Sequence, residues 1–105
     1  MKVIYNSLIP FKGYAAINIF GILLVRKGVN VTPRMINHEK IHTAQMRELL
    51  FVFFYLWYLV EWIVRLPMKG NAYRNICFER EAYEKEKDPD YLSNRDPWSF
   101  IGYLR

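Results

Sequence analysis

The sequence predicts an α+β domain in which a small antiparallel sheet of two or three strands precedes three helical segments. Three observations predict it. β-branched and aromatic residues crowd the first 26 positions, where Pro10, Gly13 and Gly21 punctuate them. Beyond Pro33 no Gly or Pro interrupts the chain until Pro67. A third helical stretch, 71–87, then follows Gly70 and ends before Pro89. At 105 residues, 52% hydrophobic and 17% aromatic, the chain fits one folded domain and excludes a disordered one.

The sheet is expected within residues 1–31, from KVIYNS (2–7) and YAAINIFGILLVR (14–26), with a bend or hairpin at Phe20-Gly21. Thr32-Pro33 marks a helix start, with Thr as N-cap and Pro in the first helical position. Met35, His38, His42, Gln45 and Leu49 then recur at spacings of three and four, so both histidines of the chain share one otherwise apolar helix face. Residues 50–66 are apolar nearly all round, the pattern of a buried helix. Residues 71–87 form a third helical stretch. In the tail, 88–105, the aromatics of WSFIGYLR are expected to pack back on the body.

The net charge is +5, and residues 1–50 hold all of the excess, with seven Lys/Arg against Glu39 and Glu48. A basic surface of this kind suits contact with anionic lipid or simple solvation. No Arg-rich helix or aromatic–basic RNA signature accompanies it, so nucleic acid is not an expected partner. The lone Cys77 excludes an internal disulfide and fits a small core residue in a reducing, cytoplasmic compartment. The apolar runs 14–25 and 49–60 fall short of the ~20 residues of a membrane span. They read as core or interfacial segments, which leaves peripheral membrane contact open.

INHEKIH (36–42) carries the chemistry. Its H-E-x-x-H pattern places His38 and His42 one turn apart on one face, where two imidazoles can share one metal ion. Zinc suits such nitrogen ligands. Glu39 lies beside the site, placed to move protons as a general base. The chain has no third histidine, so a third ligand must be a downstream carboxylate. On the 71–87 helix, Ala72, Ile76 and Tyr83 define an apolar stripe. Glu79 falls on its edge, whereas Glu81 points away and reads as a surface residue. A carboxylate on a buried face needs a compensating charge, which one zinc ion or an ion pair with Arg74 or Arg80 would supply. Geometry adds a demand. A straight helix from Pro33 to Leu66 would carry its end ~36 Å from His42, too far for Glu79 to return. A sharp break is therefore expected near Glu48–Leu50.

With HEKIH followed by FEREAY (78–83), the chain resembles the gluzincins, zinc peptidases with an H-E-x-x-H helix and a downstream glutamate helix. More narrowly it resembles the minigluzincins, minimal soluble scaffolds similar to the catalytic cores of integral-membrane metallopeptidases. The resemblance implies a peptide or protein substrate, one zinc ion held by His38, His42 and Glu79, and Glu39 as catalytic base. It places Ala82 at the motif's small residue and Tyr83 where an aspartate commonly orients an imidazole. Tyr73, Tyr83 or an arginine is left to stabilise developing charge. It further implies an edge strand that receives the peptide, here Ile22, Leu23, Leu24, Val25 and Arg26. It also implies latency, with the 88–105 tail covering the cleft and Trp98 or Asp96 near the metal. Two other functions fit the residues: a non-catalytic zinc site that joins helices, and a membrane-surface interaction protein.

Overall fold

The computed structural model describes residues 2–7 and 16–104. Pro10 and Gly13, which punctuate the expected sheet region, lie outside these residues. Three strands, β1 (Lys2–Asn6), β2 (Ala16–Ile19) and β3 (Ile22–Arg26), precede the helices. These are α1 (Pro33–Glu48), α2 (Val52–Arg65), α3 (Ala72–Asn75), α4 (Cys77–Lys85) and α5 (Tyr91–Asn94), followed by a final 3-10 turn over Ser99–Tyr103. The α+β class holds.

The sheet is mixed. β2 and β3 form the expected antiparallel hairpin, but β1 runs parallel to β3, and the strand order is β1-β3-β2. β3, the most continuously apolar strand, takes the centre, where Leu23 and Val25 are fully buried. This corrects the expectation that Ile22–Arg26 is an edge that receives a peptide. Ile22, Leu23, Leu24 and Val25 are already paired on both sides, with β1 and with β2, and Arg26 is paired with Asn6 of β1. The hairpin turns through Phe20 and Gly21, both at positive φ, as a two-residue loop that follows strand twist requires. Phe20 tolerates this because its N–H donates to the Tyr55 hydroxyl (3.0 Å) and its ring packs edge-on against Tyr55. Asn18 ties the hairpin to α1: its side-chain amide donates to the Glu39 carbonyl (3.0 Å) and to Thr43 Oγ1 (3.2 Å).

α1 begins as its sequence dictates, with the Thr32 hydroxyl accepting from the Met35 N–H. It ends where the site requires. The N–H of Phe51 donates to the Met46 carbonyl (2.7 Å) and that of Leu50 to the Arg47 carbonyl (3.3 Å), a Schellman termination. Leu50 and Phe51 both sit at positive φ, 55° and 62°, without the glycine that such a turn prefers. Packing sustains the turn instead: Leu49 is 7% exposed and Phe51 lies against the core.

α2 departs from the fully buried helix that its composition predicts. Only Phe54 and Glu61 are buried, and a broad apolar side faces outward. Every apolar side chain fits a buried helix, but the rest of this small domain covers only one side of it. The core beneath gathers Met46, Leu49, Phe54, Ile76, Cys77 and Phe78. As expected, the tail folds back: Phe100 is fully buried, its ring 4.9 Å from Phe78 and 5.4 Å from Trp57.

The expected 71–87 helix is two pieces, because Ile76 adopts extended backbone between α3 and α4. No side chain of its own segment caps α4. Glu61 does so from α2, accepting from the Cys77 N–H (2.8 Å) while Trp57 Nε1 and Arg65 Nε hold the same carboxylate. An anion at a helix N-terminus is favourable, and here it anchors the helix that carries Glu79.

Glu81 is fully buried, which corrects its reading as a surface residue. Arg95 donates to both of its oxygens, Tyr91 donates at 2.6 Å and Gln45 at 2.9 Å. Arg95 also grips both oxygens of Glu48 at the end of α1. The tail thus supplies the cation that makes this side of α4 an interior. Asp96 is not one of the residues grouped at the expected metal, and the Trp98 ring packs 5.5 Å from Phe100. The Trp98 N–H donates to Glu48, and the Asp96 carbonyl accepts from Ser99.

Leu50 is 71% exposed, so its side chain contributes little to the core while its backbone conformation is costly. Leu50→Gly is expected to raise stability by about 0.5–1 kcal/mol in denaturant titration.

Candidate metal centre

α1 presents His38 and His42 on one face, and the early placement of Glu79 on α4 lays its carboxylate across them. Three donor atoms meet. His38 Nε2 lies 3.1 Å from His42 Nε2, and Glu79 Oε1 lies 3.2 Å and 3.1 Å from the two nitrogens. All three residues are buried, with 8%, 5% and 4% exposure. Among the described residues this is the group that could hold a metal ion. Bonds of ~2.0–2.1 Å to a tetrahedral centre would put ligand atoms about 3.3 Å apart. The observed triangle is therefore nearly one face of such a site.

The hydrogen bonds behind the rings fix what the donor atoms present. His38 Nδ1 meets Glu86 Oε1 at 2.9 Å, and a carboxylate can only accept, so Nδ1 carries the proton. His42 Nδ1 meets Gln45 Oε1 at 2.8 Å. The Gln45 amide is oriented by its NH2, which donates to the Phe78 carbonyl and to Glu81, so its oxygen also accepts. With a proton on Nδ1 of each ring, the two Nε2 atoms are the positions turned toward Glu79 Oε1 and open to a metal ion. Three Lewis bases facing one another in a buried site require a cation between them.

Without a metal, that cation is a proton. Burial alone would depress the His42 imidazole, but the Glu79 carboxylate, its hydrogen bond and Glu39 push it up to about 9. Burial likewise opposes ionisation of Glu79, yet His42, hydrogen bonds from both imidazoles and Tyr58 hold its carboxyl well below the usual range. The Tyr58 hydroxyl donates to Glu79 Oε2 at 2.8 Å, so Oε1 is the oxygen turned to the centre. Burial and the neighbouring carboxylate push the Tyr58 phenol far up, so it stays a donor.

The structure brings His38, His42 and Glu79 together as the motif implies, and neither Arg74 nor Arg80 is the partner of Glu79. Arg74 lies over the Tyr83 ring (4.1 Å), and Arg80 donates to the Tyr103 carbonyl. Tyr83 packs edge-on against His38, ring centroids 4.6 Å apart, and so props the imidazole by contact. The charge expected from an aspartate at that position comes instead from Glu86, itself paired with Arg34 (3.0 Å). Tyr73, 41% exposed, stands beside Tyr83. Its hydroxyl is pushed up by burial, then by Glu79, by a hydrogen bond with Tyr83 and by Glu39. Glu39 is only partly buried, and its charge is felt at both His42 and Tyr73.

Sequence reasoning missed Tyr58, Glu86 and the role of Gln45. Two had signals: Gln45 lies on the histidine face, and Glu86 follows Glu79 by two helical turns. The tail reaches this site through Arg95, which holds Glu81 and through it Gln45 behind His42, and through the Asp88 carbonyl, which accepts from Asn37 beside His38.

Removing Glu86 as Glu86→Ala is expected to weaken metal binding by roughly 10–100-fold in a chelator competition titration. Metal affinity is expected to rise with pH toward about 9, the pH range over which the ion displaces the His42 proton. The sign reverses for metal-free stability. The raised imidazole contributes below its unfolded value of 6.5, and that contribution is lost as pH rises through about 9.

The chain matches no protein-family model, no curated protein and no solved structure in the three comparisons made.

Proposed function

We propose that this chain is a zinc-dependent metallopeptidase of gluzincin type, with one ion held by His38, His42 and Glu79. The observation that carries the reading is the triangle of 3.1–3.2 Å among two imidazole nitrogens and one carboxylate oxygen, beside Glu39. A zinc ion bound there would polarise a substrate carbonyl and lower the pKa of water at neutral pH.

The protein's own groups supply the rest. Glu39 is the carboxylate of the H-E-x-x-H motif, and it is partly open to solvent. It takes a proton from the attacking water and returns it to the leaving amine. Glu86 and Gln45 hold the imidazoles in the tautomer that binds metal. Tyr73, kept protonated and half exposed, is the group of this chain placed to donate to a peptide oxygen as charge develops.

The near-complete burial of all three ligands favours a second reading, in which the ion joins α1 to α4 in a latent or purely structural centre. Glu39→Gln separates the two. It is expected to lower hydrolysis of a denatured-protein or peptide-library substrate at least ~100-fold while zinc stays bound in one equivalent. A zinc-loaded wild type that cleaves no such substrate supports the structural reading.

A further inference from the structure

The outward side of α2 has no part in the metal centre. At ~100° per residue, an arc of roughly 140° runs from Leu59 to Val64 with Ile63, Leu56 and Val60 at its middle and no polar side chain within it. The side chains of this arc are 51–59% exposed, and Trp62 extends the surface beyond it. A groove lined by Phe53, Leu56, Val60 and Trp98 continues the apolar surface onto the tail. A contiguous exposed apolar surface of this kind is uncommon on a soluble monomer, whose largest patch is roughly 300–600 Å² and often an interaction site.

Charge says what covers the face. Outside segment 84–96, every exposed charged side chain among the described residues is basic: Lys2, Lys27, Arg34, Lys40, Arg47, Lys69 and Arg74. The acidic groups elsewhere are buried or partly buried in the networks of Glu48, Glu61, Glu79 and Glu81 or, like Glu39, sit at the metal centre. Exposed Arg47 precedes the apolar segment and exposed Lys69 follows it. The flanking Arg47 and Lys69 would meet like charges in a second copy laid on this face, whereas an anionic surface would meet them with opposite charge. Length decides how α2 would lie. Fourteen residues make about 21 Å of helix, and among the described residues no helix is long and apolar enough to cross a membrane.

We propose that α2 docks in the plane of an anionic phospholipid bilayer, with Leu56 and Ile63 in the acyl boundary and Arg47 and Lys69 at the headgroups. This is the geometry of an interfacial helix, in which apolar burial and headgroup attraction act together. It would hold the metal centre beside the membrane surface and owes nothing to whether that centre is catalytic.

The test is co-sedimentation with vesicles of phosphatidylcholine and phosphatidylglycerol against vesicles of phosphatidylcholine alone. The wild type is expected to bind the anionic vesicles more tightly, with an affinity that falls as salt rises. Leu56→Glu and Ile63→Glu, both at exposed positions, are expected to weaken it at least about tenfold with metal content and circular dichroism unchanged. Arg47→Glu with Lys69→Glu is expected to remove the preference for anionic lipid. Absence of vesicle binding, or binding indifferent to Leu56→Glu and Ile63→Glu, overturns the proposal. So does a wild-type dimer in analytical ultracentrifugation that these substitutions convert to monomer without vesicle binding, since the occupant would then be a second copy.

Discussion

Three electron pairs pointed at one buried spot form the constraint from which the rest of this structure follows. His38, His42 and Glu79 cannot face one another at 3.1–3.2 Å in an interior unless a positive charge joins them. Much of the fold serves to hold that arrangement. The Schellman turn at Leu50 and Phe51 sends the chain back beside α1, Glu61 of α2 caps α4, and α4 then delivers Glu79 in its first turn. Tyr58, also from α2, selects which oxygen of Glu79 faces inward.

Behind the imidazoles lies a second tier of charge. His42 leans on Gln45, Gln45 on Glu81, and Glu81 on Arg95, which closes on Glu48 at the far end of α1. His38 leans on Glu86 and through it on Arg34. Each buried carboxylate here has a cation or several donors, as burial demands. The last residues of the chain therefore matter to the site without approaching the donor atoms. They fix Glu81, whose hydrogen bond orients the Gln45 amide.

How much was legible in the sequence depends on the range of the interaction. Local signals were read directly: the Thr32 cap, the Phe20-Gly21 turn and the i, i+4 histidines each depend on a few adjacent residues. The break after α1 was legible from reach alone, since Glu79 could not otherwise return. What failed was non-local. The central place of β3 depends on β1, which comes to it from across the sheet. Burial of Glu81 depends on Arg95, fourteen residues on, and a helical wheel of α4 alone cannot contain that cation. α2 failed for a different reason: its composition fits a buried helix, but so small a domain covers one side only. Tyr58 gave no sequence signal, because it sits on that apolar helix as one aromatic among many.

The claim at the centre is that these three side chains bind one metal ion through two nitrogens and one oxygen. X-ray absorption at the zinc edge, on protein loaded with one equivalent of zinc, tests it most directly. The account predicts a four-coordinate shell of nitrogen and oxygen at about 2.0–2.1 Å, with the outer-shell signature of two imidazoles. A six-coordinate oxygen shell, a sulfur scatterer from Cys77, or a spectrum unchanged by His42→Ala would contradict it.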